Sequence, residues 1–185
     1  SVTMTGGEPL LDHRFSDMIQ KFKNTKSVVV HSGLGVSETV LRRGLDAMSD
    51  TQHKTTLCIS AESIGKNFEF NRQGSNWETF LRYIDIIKEY DVAIQFASTY
   101  SNLNITDYVK FNTMFHEYPI SMNMVYDPAF MSVYNLDDET KKQVINDIKQ
   151  SRLSNSKNAN EIINTINQPT NEKLRQELRY FIQEF

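Results

Sequence analysis

The sequence has almost no cysteine. Cys58 is the single residue of that type in 185. No disulfide can form within the chain, and a set of thiolates for a metal cluster cannot be assembled from it. Basic runs are missing too. The formal net charge is −3 and no stretch of Lys and Arg stands out, which argues against a nucleic-acid partner. No apolar run approaches the ~20 residues that a membrane span needs, so no membrane partner is expected. The first residues read as a strand rather than a basic segment followed by an apolar one, so no secretory signal is visible. The histidines His13, His31, His53 and His116 show no metal-ligand spacing. Neither a metal ligand nor a catalytic residue is assigned. With one cysteine and no export signal, a cytoplasmic location is expected. The chain opens on Ser1 rather than Met and enters a strand almost at once. A piece of a longer protein is therefore expected.

What is present is an alternation. The apolar fraction of 39% is ordinary for a globular domain, and 185 residues are enough for a sizeable core. Short β-rich runs at Val2–Thr5, Ser27–His31, Thr56–Ser60, Val92–Ala97 and Pro119–Val125 alternate with amphipathic stretches. Phe15, Met18, Ile19 and Phe22 share one helical face; Leu41, Leu45 and Met48 share another, behind a capping Ser37. Trp77, Phe80, Leu81, Ile84 and Ile87 mark a third, and Thr106–Phe115 reads as a fourth helix. Gly65 and Gly74 bracket a stretch read as a polar loop. From Asp137 onward the pattern is helical only, with a break at Gln168-Pro169. Strands alternating with helices predict βαβ units and a parallel α/β sheet. The expected division is residues 1–135 as an incomplete parallel (β/α) barrel, the ligand-binding half, and 136–185 as a helical extension. The first strand would then be an edge, open to pairing with a second copy, and a homo-oligomer through it is expected.

Polar residues recur on alternate positions of these strands. Thr3 and Thr5, Cys58, Ser60 and Glu62, Gln95 and Thr99, Ser121 and Asn123 each oppose apolar neighbours. Parallel strands covered on both faces usually read as continuous apolar runs. Burying such groups unpaired costs roughly 1–3 kcal/mol each. Either each bonds locally, or together they line a polar cleft at the strand carboxyl ends, where ligands of α/β folds sit. Glu62 and the Gly6-Gly7 turn favour the cleft. Two glycines let backbone approach a ligand closely. Glu8 can pair with an ammonium or serve as a first-turn acid stabilised by a helix dipole.

A strand running into Thr5-Gly6-Gly7-Glu8-Pro9-Leu10 resembles the S-adenosylmethionine-binding motif of the radical S-adenosylmethionine superfamily. The resemblance covers roughly residues 1 to 135. Leu57-Cys58-Ile59-Ser60-Ala61-Glu62-Ser63-Ile64-Gly65 is similar to the fourth barrel strand of that superfamily. Ser98–Ile105 is similar to the turn after its fifth strand, and Asn123–Pro128 to the end of its sixth. Ser32-Gly33-Leu34-Gly35 departs from the Thr-Asn-Gly turn of many members. The resemblance implies a TIM-like partial barrel. It also implies S-adenosylmethionine as cofactor, with contacts from Gly6, Gly7, Glu8, Pro9, Ser60, Glu62 and Asn123. A four-iron four-sulfur cluster is implied only for an intact parent, because the three-cysteine CxxxCxxC loop of the superfamily is not in this sequence. Members of the twitch-domain-containing type, many of unknown substrate, are similar. Their C-terminal modules carry cysteines that this C-terminus lacks.

Three functions compete. The first is the S-adenosylmethionine-binding part of a radical enzyme acting on an unknown substrate, inactive as given. The second is a non-redox partial barrel that binds a small ligand or a protein partner. The third is another barrel enzyme using Glu62 as acid or base, for which no paired carboxylate is visible.

Overall fold

The fold comes from a computed structural model, which describes residues 1–183. Five strands form one sheet in the order β1-β2-β3-β4-β5: β1 (Val2–Met4), β2 (Ser27–Ser32), β3 (Lys54–Ser60), β4 (Ala93–Tyr100) and β5 (Ile120–Met124). The strands are parallel. Spatial order equals chain order, as the βα alternation predicts, because consecutive strands joined by short connections usually lie side by side.

Helices fill the connections: α1 (Phe15–Gln20), α2 (Glu38–Ser49), α3 (Gly65–Asn71), α4 (Trp77–Ile87) and α5 (Tyr108–Met114). Ser37 caps α2, accepting the Val40 N–H at 3.4 Å, and Leu41, Leu45 and Met48 are buried beneath it. Asn76 caps α4 in the same way through the Thr79 N–H. The segment expected as a polar loop contains α3. Its one buried side chain is Phe68, which packs on the rings of Trp77 and Phe80 at centroid distances of 5.2 and 4.6 Å. A single buried position gives no helical period to read. β4 extends to Tyr100, three residues beyond its expected end. Three further helices follow: α6 (Asp138–Gln150), α7 (Lys157–Ile166) and α8 (Glu172–Gln183).

The chain divides into two compact units. The first comprises Ser1–Ala61, Gly65–Ala97 and Glu117–Ser121, and the second Glu62–Ile64, Ser98–His116 and Met122 onward. The first buries Phe15 and Ile19 of α1, Val28 and Val30 of β2, Leu57 and Ile59 of β3, and Ile84 and Ile87 of α4. The second has its own core, built from Tyr100, Ile105, Tyr108, Val133, Leu136, Val144, Ile148, Ala159, Ile162 and Ile166. Among the described residues no helix is long and apolar enough to cross a membrane.

The alternation in β1, β4 and β5 is an alternation of exposure. Thr3 and Thr5 by β1, Ala93 and Thr99 in β4, and Ser121 and Asn123 in β5 are exposed, while their sequence neighbours are half-buried or buried. β3, the central strand, buries Leu57, Cys58 and Ile59 alike. Cys58 is 2% exposed, and burial pushes its thiol up. It sits there as a small apolar side chain.

Candidate functional site

The turn after β1 is built from two glycines in the left-handed region, Gly6 at φ 95° and Gly7 at φ 55°. No heavy atom lies within 4 Å of where a Cβ would stand on either, so the backbone is open to an incoming group. Pro9 then opens a 3-10 turn over Pro9–Leu11. Leu10 anchors that turn. It is fully buried and so close to α2 that a Cβ on Gly44 would fall 2.7 Å from its Cδ2. Arg43 of α2 donates to the Leu10 carbonyl at 2.8 Å.

Glu8 stands at the cap position of this turn but makes no capping bond. Its carboxylate reaches sideways. Oε2 accepts from Ser32 Oγ at 2.9 Å and from the Gly33 N–H at 3.1 Å. The strand register explains the meeting: Val2, Thr3 and Met4 pair with Val28, Val29 and Val30, which carries the Gly6–Glu8 turn alongside Ser32–Leu34. The Ser32 hydroxyl also accepts the Leu34 N–H at 2.9 Å, and Leu34 itself holds a left-handed φ of 58°. The other carboxylate oxygen, Glu8 Oε1, is buried and has no hydrogen-bond partner. Native structures leave few buried polar atoms in that state. An acceptor with no donor, beside an open Gly-Gly turn, is a fit for an ammonium group.

The other expected contacts fall as follows. Ser60 closes β3, one residue past Ile59, the pairing partner of Ser32; it belongs to the first unit with Gly6, Gly7, Glu8 and Pro9. Glu62 and Asn123 belong to the second. Glu62 is 6% exposed on a loop whose Ile64 N–H is held by the buried Asp107 at 3.2 Å. Burial pushes the Tyr100 phenol up, and the Glu62 charge adds to that shift. Asn123 is exposed in β5. Ser32 and Gly33 are the partners of Glu8 that the sequence did not reveal. The one signal was a hydroxyl at the end of the neighbouring strand.

The iron–sulfur cluster does not fit these residues. Ligation of that kind uses three or more thiolates, and this sequence holds Cys58 alone. Among the described residues no group of three or more His, Cys, Asp or Glu side chains is placed to hold a metal ion.

The fold is similar to a solved domain of pyruvate-formate lyase-activating enzyme from Bacteroides vulgatus ATCC 8482. The TM-score is 0.53 at 18% identity, over 80% of this chain and 91% of that one. At that identity the likeness is one of fold. No family model matches the chain, and no curated protein matches it either.

Proposed function

We propose that the chain carries the S-adenosylmethionine-binding segment of a radical S-adenosylmethionine enzyme. The observation that carries the reading is Glu8: a carboxylate fixed through one oxygen, with the other buried and without a donor, on a Gly-Gly turn at a strand carboxyl end. The fold likeness supports the reading, because a pyruvate-formate lyase-activating enzyme is itself a radical S-adenosylmethionine enzyme.

When bound, the cofactor of that class supplies a hydrogen-abstracting radical after reductive cleavage at a four-iron cluster. The part of this chain is to bind and orient. Glu8 Oε1 accepts from the methionyl ammonium, and Gly6 and Gly7 let backbone lie against the methionyl end. Ser60, Glu62 and Asn123 are carried in the proposal by the sequence resemblance. With one cysteine, the chain alone assembles no cluster and performs no radical chemistry. Substrate is left unassigned.

Titration calorimetry with S-adenosylmethionine tests the reading. Glu8→Ala removes one charge-assisted hydrogen bond, worth ~1.5–3 kcal/mol, or roughly ten- to a hundredfold in affinity. Equal affinity of the variant and the parent would sink the assignment. Anaerobic reconstitution with iron and sulfide, followed by iron quantitation, tests the cluster statement; stoichiometric four-iron binding by this chain would refute it.

A further inference from the structure

We propose that Ser32 is a positioning residue that makes Glu8 selective for a primary ammonium. The proposal rests on the cofactor reading above and extends it to a residue outside the glycine-rich turn. Ser32 is 2% exposed, and its hydroxyl both donates and accepts. Its oxygen accepts the Leu34 N–H, so its own proton is directed at Glu8 Oε2. A serine hydroxyl normally rotates to suit its surroundings. Here the Leu34 N–H occupies the oxygen, and the Glu8 carboxylate, which can only accept, takes the proton side.

The Gly33 N–H loads the same carboxylate oxygen. The carboxylate cannot turn without losing two donors at once. The result is an asymmetric acceptor, with Oε2 saturated and Oε1 left over. A clamp serving the fold alone would have no reason to leave a buried charged oxygen unmatched, since that is costly. A ligand donor repays it best if charged, because ion-assisted bonds are about twice as strong as neutral ones. The open Gly6-Gly7 turn next in sequence is where such a donor can approach. The site therefore selects for the amino group of the ligand, and Ser32 sets how strongly.

The test is a ratio. Calorimetry on the full chain measures affinity for S-adenosylmethionine and for its desamino analogue, in which hydrogen replaces the ammonium. The parent favours the amino compound by at least ~tenfold. Glu8→Gln brings the ratio to about one. Ser32→Ala lowers it at least ~threefold while leaving affinity for the desamino compound unchanged, and Ser32→Thr, which keeps the hydroxyl, restores it. Ser32→Cys keeps the bulk and weakens the donor, and gives the same lowered ratio where the Ala variant does not fold. A parental ratio in the Ala or Cys variant, alongside a collapsed ratio in Glu8→Gln, overturns the role of Ser32 and leaves the cofactor reading standing. A ratio that Glu8→Gln does not move, or a parent that binds neither compound, overturns the cofactor reading and this proposal with it.

Discussion

Glu8 and Asp137 both open helical segments in this molecule, and they are treated in opposite ways. Asp137 precedes α6. Its Oδ1 accepts the Thr140 N–H at 2.8 Å and its Oδ2 the Thr140 hydroxyl at 2.6 Å. Both oxygens are matched within three residues, and the group serves the helix. Glu8 precedes a single 3-10 turn and caps nothing. Its partners lie 24 and 25 residues away, both on one oxygen, with the other unmatched. Asp137 is satisfied locally on both sides, whereas Glu8 is held from a distance and left with a vacant acceptor. The comparison separates the two roles open to Glu8 at the level of sequence, helix-start acid and ligand contact, and its geometry supports the second.

Exchanging each carboxylate should therefore give opposite phenotypes. The largest effect belongs to Glu8→Gln. The amide keeps an acceptor oxygen for Ser32 and Gly33 but puts an N–H2 where Oε1 stood. Affinity for S-adenosylmethionine falls by ~1.5–3 kcal/mol, while stability in urea shifts by less than ~0.5 kcal/mol. A large stability loss with unchanged affinity would reverse the comparison. Next is Gly7→Ala. The new Cβ meets nothing, so the expected loss of ~1–2 kcal/mol is purely that of a left-handed φ in a residue with a side chain. Gly7→Asn, which tolerates that region better, should lose less. Equal losses would mean that contact, not backbone, sets the requirement.

The same contrast explains what could be read from the sequence. Local features were legible. Five strands in chain order, the Ser37 cap, the burial of Phe80, Ile84 and Ile87 in α4 (though not of Tyr83 and Ile86, while Trp77 and Leu81 are only half-buried) and the helices after Asp137 follow from periodicity and capping residues that act within one or two turns. β2 running on through Ser32 and β4 through Tyr100 were not, because pairing with a neighbour prolongs a strand past its apolar run. α3 was missed because Phe68 is its single buried residue. At the site, Gly6-Gly7-Glu8 announced itself by chemistry and position. The Ser32 contact did not, since it depends on the β1–β2 register rather than on any spacing within either segment.

Asp137→Ala probes the other arm. It should cost about 1 kcal/mol of stability, the ordinary loss for a removed N-cap, and leave S-adenosylmethionine affinity unchanged. Chemical denaturation and calorimetry on the same preparation check both halves. A change in affinity would show that the two carboxylates are not separable as argued.

The smallest expected effect is in the acid limb of stability. The Thr140 hydroxyl and N–H, both donating to Asp137, hold its carboxyl below the usual range. A pKa lower in the folded chain than the unfolded value of about 3.9 means that the folded state binds fewer protons. That contribution is present above the unfolded pKa and lost as pH falls through the folded one. Asp137→Asn keeps the capping acceptor, since Asn caps about as well as Asp, but does not titrate. On going from about pH 7 to about pH 3 in low salt, the parent should lose more stability than Asp137→Asn. The difference should be only roughly 0.2–0.5 kcal/mol, because Asp137 is exposed and solvent screens it. Other carboxylates titrate in both proteins and cancel in the difference. Equal acid slopes would mean that Thr140 binds the protonated and ionised forms alike, and that the saturation of Asp137 is geometric rather than energetic.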